Sequence, residues 1–363
     1  MFLSRLSLRK IRNIREANLT LNQKTNVIIG ENAAGKTSVL ESLDILSRGR
    51  SFRTNKFESL VSSGEKSFYV GATIGGSGKK LEIHKEKNKT RVLINDKEEK
   101  KQSLLAQELA ILSIHPSSHN LIEGPPSERR AFLDWGLFHV EQNYRDLWSE
   151  YTKTLKQRNE ALKSQKGNLA PWTEKLAASG EKITSSRKAY FENITRGFFD
   201  YFEEFLPHAS NETPLSSKAI SLYFSPGWDL NQSSLFDAIE KNLKRDLEKG
   251  FTSVGPHCAD IRLKLGETDA YKIISRGQQK LIVCALLMAQ FKDYNEKTSN
   301  KSIIIIDELA SELTLELQAK VLEKLLDAKS QVFISALTDS SLAEILSDFG
   351  ASVFHVEHGE IFG

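Results

Sequence analysis

The chain has 363 residues, with 50 Lys and Arg against 47 Asp and Glu, a formal net charge of +3, and 39% apolar residues. That length suits about two packing units, and the composition excludes a disordered or membrane-embedded chain. The small net charge falls short of the bias that by itself announces a nucleic-acid binder.

No run of about 18 apolar residues offers a membrane span, and Met1–Leu19 lacks the apolar stretch and cleavage site of a secretory signal. A cytoplasmic protein without a membrane partner is expected. Cys258 and Cys284 are too few for a disulfide framework or a zinc site, so each is expected as a small buried or half-buried residue.

Leu3, Leu6, Leu8 and Ile11, then Asn18–Leu21, mix alternating apolar positions with basic residues, which predicts edge strands of a twisted sheet. Asn26–Ile29 predicts a short buried strand running into Gly30, and Val39, Leu40, Leu43 and Leu46 predict a helix over Lys36–Leu46. Phe68–Ile94 reads as short strands broken by Gly75, Gly76 and Gly78. The Lys and Glu run through Lys101 reads as a solvated hairpin face. Leu109–Ile114 predicts another buried strand.

From Ser127 to Lys249 the pattern becomes helical, interrupted by Gly167, Pro171 and Pro207, without sustained heptads. A compact helical lobe or short arm is expected, with Phe191, Phe198, Phe199, Phe202 and Phe205 at helical spacing in its core. The α/β pattern then resumes. Ile261–Leu265 and Val332–Ser335 predict strands, Gln278–Gln290 a helix, and Ile303–Ile306 a buried parallel strand. Ser352–Phe362 predicts a hairpin turning at His358 and Gly359. The sheet is therefore built from both ends of the chain, with the helical lobe inserted between them.

Three motifs carry chemistry. Gly30, Glu31, Asn32, Ala33, Ala34, Gly35, Lys36 and Thr37 match the P-loop pattern, and Ser38 carries the loop into the helix. The end glycines allow a tight loop whose N–H groups face phosphates; Lys36 would reach the β- and γ-phosphates and Thr37 would ligate Mg²⁺. The strand ending in Asp307 and Glu308 supplies a second carboxylate-bearing element, Asp307 on the metal side and Glu308 as candidate base for water. Ser275, Arg276, Gly277, Gln278, Gln279 and Lys280 resemble the signature element of ABC-type ATPases, in which a helix N-terminus closes on the γ-phosphate held by a second subunit. Two rivals are a transporter-type ABC ATPase subunit and a P-loop kinase or nuclease.

With these motifs in place, the chain resembles the RecF family, bacterial DNA-repair ATPases whose head is related to that of SMC proteins. The resemblance also rests on Ser47, Arg48, Gly49, Arg50, Ser51, Phe52 and Arg53. It continues through Pro116, Leu121, Ile122, Gly124, Pro126, Arg129, Arg130, Phe132, Leu133 and Asp134, and through Val254, Gly255, Pro256 and His257. It implies an α/β, ABC-type ATPase head of P-loop and mixed-sheet type, residues 1–126 and 251–363, with an inserted helical lobe II, residues 127–250.

The resemblance further implies a slow, DNA-stimulated ATPase with ATP and Mg²⁺ as cofactors. Its ATP-dependent homodimer would bind double-stranded DNA near gaps and work with RecR and RecO in loading RecA, in the cytoplasm and on the nucleoid. Lys36, Glu308, Thr37, Asp307, Ser275, Gly277 and Gln278 are its expected site residues. Arg48, Arg50, Arg53, Arg129 and Arg130 are candidates for DNA or interlobe contacts, with internal ion pairing as the competing role. The chain departs from the family pattern at Ser117, Ser118, Cys258 and Thr314, the last following Ser311, Glu312 and Leu313. A switch histidine is replaced in its region by Thr338 and Asp339.

Overall fold

The computed structural model describes residues 1–54, 56–165, 168–206, 219–230, 234–308, 315–327, 330–337 and 350–363. Gly167, Pro207, Ser311, Glu312, Leu313, Thr314, Thr338 and Asp339 lie outside the described residues. The chain divides into two compact units, Met1–Ser118 with Tyr294–Gly363, and His119–Asp293.

The strands and helices of the first unit's N-terminal part are β1 Leu3–Ile11, β2 Ile14–Thr20, β3 Thr25–Ile29, α1 Lys36–Arg48, β4 Ser67–Ile74, β5 Lys80–Glu86, β6 Thr90–Ile94, β7 Lys97–Glu99, α2 Ser103–Glu108 and β8 Ile111–Ile114. The second unit holds α3 Asn120–Glu123, α4 Pro126–Val140, α5 Tyr144–Ser164, α6 Ala170–Phe205, β9 Ile220–Ser225, α7 Leu235–Lys241, α8 Leu243–Lys249, β10 Asp260–Leu265 and β11 Thr268–Asp269. After α9, Arg276–Lys297, come β12 Ile303–Ile306, α10 Leu315–Asp327, β13 Val332–Ala336, β14 Ser352–Glu357 and β15 Glu360–Phe362.

An antiparallel sheet of order β2-β1-β4-β5-β6-β7 buries its alternate side chains, Leu6 and Leu8, Phe68 and Val70, Leu81 and Ile83 among them. Only β2 of the predicted N-terminal edge strands is an edge; β1 lies between β2 and β4. A second sheet has the order β15-β14-β3-β13-β12-β8, parallel except for the terminal β14–β15 hairpin. Its central strands β3, β12 and β13 are buried at every position, as strands covered on both faces must be. Val39, Leu40, Leu43 and Leu46 of α1 join the apolar residues of both sheets in one core.

In the second unit, α6 packs against α4 and α5, and its Phe198, Phe202 and Phe205 are buried, while Phe191 and Phe199 are half-buried. Pro171 sits in the first turn of α6, where its missing N–H costs nothing, so it opens the helix instead of interrupting it. Several features escaped the periodicity, helix α10 and strand β11 among them. Helix α2 precedes β8, and β9 interrupts the otherwise helical stretch by pairing with β10, Ile261 opposite Phe224 and Leu263 opposite Leu222. Cys284 is buried as expected, but Cys258 is exposed.

Two fully buried arginines of this unit are paired with carboxylates. Arg158 and Asp246, both with fully buried side chains, meet at 3.0 Å, and Arg158 also donates to Thr252 and Thr173. Arg187 forms a fork on Asp134 and donates to Pro256 O. Breaking such a pair strands a charge at about 3–5 kcal/mol.

Close by, His257 Nε2 bonds the Thr252 carbonyl at 3.0 Å, so this nitrogen carries the proton, and Nδ1 accepts from the Tyr151 hydroxyl at 2.6 Å. Burial lowers the His257 pKa from its ordinary value, the Thr252 bond and Asp246 act upward, and Arg130 and Arg187 act downward. The unfolded chain therefore binds a proton at His257 more readily than the folded one. Its contribution to stability is constant above the unfolded value of about 6.5 and is lost as pH falls below it. Denaturant midpoints between pH 8 and 5 are expected to fall less for His257→Gln than for the native chain; equal slopes would contradict the assignment.

Candidate nucleotide-binding site

The P-loop leaves β3 at Gly30 and enters α1 at Lys36. A Cβ at Gly30 would stand 2.3 Å from Val356 O, so the residue must be glycine because the β14 backbone approaches it. Gly35, at φ 130°, precedes the helix and provides no side-chain cap. The first-turn amides of α1 therefore keep their polarity for an anion, and the helix dipole adds to it. Ala33 holds a left-handed φ of 64°, which turns the loop back toward the helix.

Two neighbours brace the loop. Asn13, in the turn between β1 and β2, donates to Ala34 O at 2.7 Å and accepts from Ser38 Oγ at 3.0 Å. Gly359, in the β14–β15 turn, donates its N–H to the same Ala34 carbonyl at 2.9 Å. His358 and Gly359 both have positive φ, 49° and 86°, which closes the predicted hairpin. A Cβ on Gly359 would meet Asn13 O at 2.1 Å.

Lys36 is buried, and its Nζ donates to Gly30 O and Glu31 O at 2.8 Å each. Burial lowers its pKa, against the raising effect of Glu308, Asp307 and Glu31. Thr37 Oγ1 donates to Asp307 Oδ1 at 3.1 Å, across 270 positions of sequence. This bond joins the P-loop to the Asp-Glu element.

Strand pairing explains the meeting. Ile306 of β12 lies opposite Ile334 of β13, and Ser335 lies opposite Ile28 of β3, so the carboxyl ends of three adjacent parallel strands deliver their next residues to one place. Asp307 is buried there. Burial pushes its carboxyl up, the Ser335 and Thr37 hydroxyls pull it down, Glu308 raises it and the charge of Arg53 lowers it. Glu308 is exposed, with a left-handed φ of 55° that costs a non-glycine residue about 1–2 kcal/mol.

Uncapped helix amides, a lysine aimed at the loop, and a hydroxyl beside a buried carboxylate form a donor set that fits a nucleoside polyphosphate with a hard divalent cation. Such a cation takes oxygen ligands, which Thr37 and Asp307 supply.

In the second unit, Ser275 and Gln278 form a reciprocal cap at the start of α9. Gln278 N donates to Ser275 Oγ at 3.3 Å and Ser275 N to Gln278 Oε1 at 2.9 Å. Gln278 therefore shapes the helix end, while Ser275 is exposed and Gly277 half-buried. Tyr271 and Ile273, just before it, are exposed apolar residues at 42% and 49%.

The five arginines separate by environment. Arg48 is tied to the buried Asp44, Arg129 forms a fork on Asp260 and donates to Gly124 O at 2.7 Å, and Arg130 donates to Ala259 O at 2.8 Å. These three serve internal bonds. Arg50 and Arg53 are exposed, and Arg53 also lies 4.0 Å from the buried Glu41, which Arg12 grips through two bonds. Asn13, Ser335, Arg12 and Glu41 were not singled out in the sequence, because their partners are distant in the chain.

The profile of the RecF/RecN/SMC N terminal domain family matches residues 2–361. The chain belongs to the RecF family. It is 35% identical to the DNA replication and repair protein RecF of Vibrio campbellii, covering 99% of this chain and 100% of the relative. It is 37% identical to that of Psychromonas ingrahamii over 99% of each.

A solved structure of the recombination mediator protein RecF-ATP in the RecFOR pathway superposes with a TM-score of 0.85 at 26% identity, covering 99% of this chain and 97% of that one. An Smc head bound to the C-winged helix domain of ScpA superposes at 0.57 with 14% identity, covering 99% and 96%, and shares the fold. The fold is thus that of the ABC-type ATPase head, α/β with a helical insertion, as the motifs led us to expect. The transporter-type alternative finds no support among these relatives.

Asn13→Ala removes the donor to Ala34 O and the acceptor for Ser38, two bonds worth about 0.5–1.5 kcal/mol each. ATP affinity, measured by titration with a fluorescent nucleotide, is expected to weaken about tenfold; an unchanged affinity would remove the bracing role.

Proposed function

We propose that this RecF-family chain is an ATP-dependent DNA-binding protein of recombinational repair and a slow, DNA-stimulated ATPase that uses ATP and Mg²⁺. The observation that carries the reading is the Thr37–Asp307 bond, which sets a phosphate-binding loop and a metal-side carboxylate against one another. Lys36 and the first-turn amides of α1 bind the phosphates, and Thr37 and Asp307 hold the cation. Mg²⁺, when bound, neutralises phosphate charge. Glu308 accepts the proton of the attacking water.

A second copy of the chain completes the site with Ser275 and Gly277. Support for this comes from Ser275 standing exposed at a helix N-terminus next to exposed Tyr271 and Ile273, a polar tip with an apolar rim suited to contact between copies. Hydrolysis then follows dimerisation, because one chain holds only part of each site. The dimer engages double-stranded DNA near gaps, with RecR and RecO as protein partners and RecA loading as the outcome, in the cytoplasm and on the nucleoid. The solved relative described as a recombination mediator bound to ATP supports the pathway and the nucleotide.

For the DNA contact, exposure favours Arg50 and Arg53 over Arg48, Arg129 and Arg130. Residues 1–126 with 251–363 form the head lobe and 127–250 lobe II. Compactness alone divides the chain at 118 and 293, because β10 pairs with β9 and packs beside α4.

Sedimentation of Glu308→Gln with and without ATP and gapped duplex tests the reading. An ATP-dependent dimer that retains DNA is expected, and a monomer under every condition would contradict it.

A further inference from the structure

Resting on the ATP-hydrolysis reading above, we propose that Ser335 is the positioning residue that holds Asp307 and Glu308 in working geometry. Its side chain is buried in β13, between the strand that leads to the P-loop and the strand that ends in the two acids. Ser335 Oγ donates to Asp307 Oδ1 at 2.7 Å and accepts from the Glu308 N–H at 3.0 Å. A hydroxyl has one proton and two lone pairs, so donation to the carboxylate leaves it an acceptor for the amide. No other type of group among the hydrocarbon neighbours Ile334 and Ala336 could do both.

The amide bond bears on a strained link of the site. Glu308 sits at φ 55°, a conformation that side-chain-bearing residues adopt only where surrounding structure enforces it. The Ser335 acceptor fixes the direction of the Glu308 N–H and so enforces that turn. Glu308 is thereby held close enough for its charge to act on Lys36 and on Asp307. Through its other bond, Ser335 orients the same Asp307 oxygen that accepts from Thr37. One buried hydroxyl thus sets the metal-side carboxylate and the base together, as outer-shell partners commonly orient the groups that do the chemistry.

A simple packing role would make Ser335 replaceable by any residue of its size, so the test compares Ser335→Ala with Ser335→Thr, both checked for native melting. Thr keeps the hydroxyl and suits a strand. In the nucleotide-free protein, hydrogen exchange at the Glu308 amide is expected to quicken about tenfold in Ser335→Ala, the effect of losing one hydrogen bond, and to stay near native in Ser335→Thr.

In steady-state hydrolysis, kcat of Ser335→Ala is expected to fall about 10- to 100-fold with KM for ATP little changed, and Thr to restore most of it. Native exchange at Glu308 in Ser335→Ala, or native kcat in that variant, would overturn the proposal. A native chain that hydrolyses no ATP would sink the functional reading instead, and the exchange measurement would still judge Ser335.

Discussion

Asp307 Oδ1 accepts hydrogen bonds from two hydroxyls, Thr37 on the P-loop helix and Ser335 on a neighbouring strand. The carboxylate is buried at the end of a strand made only of isoleucine, where an unsatisfied charge would be expensive. Its partners must therefore be present, and each comes from a different part of the chain. The order β3-β13-β12 in the parallel sheet is what brings them together, because three strand ends share one edge of the sheet. Packing of α1 between the two sheets then holds the P-loop helix in place.

The same economy of partners runs through the supporting structure. Asn13 and Gly359 come from turns at opposite ends of the sequence and bond one carbonyl of the loop, Ala34 O. Glu41 and Asp44, on the buried side of α1, are compensated by Arg12 and Arg48. Burial raises the Asp44 pKa, and Arg48 acts against it first. Arginines that a linear reading could assign to DNA are in part the counter-charges of a helix whose other end carries the P-loop. In the second unit, Arg129 answers Asp260 in the same way.

What the linear sequence discloses follows from the range of the interactions. The P-loop was legible because its chemistry lies in eight consecutive residues, and the isoleucine run before Asp307 because full burial leaves no alternation. The Ser275 element does open a helix, and its glutamine proves to be half of the cap. Ser335 and Asn13 were not: a serine in an apolar strand and an asparagine in a turn are unremarkable until their partners, 28 and 21 positions away, are known. Strand β9 escaped because its apolar residues stand among helices, and only pairing with β10 makes it a strand. Helix α2 is too short for a period to show.

The central claim is that Thr37 and Asp307 act as one unit in holding nucleotide with its cation. A double-mutant cycle on Mg²⁺-dependent ATP affinity, using Thr37→Val, Asp307→Asn and the pair, measures this directly. Residues in contact couple by about 0.5–3 kcal/mol, so the loss in the double variant is expected to fall short of the sum of the two single losses by about that amount. Losses that simply add would contradict the account.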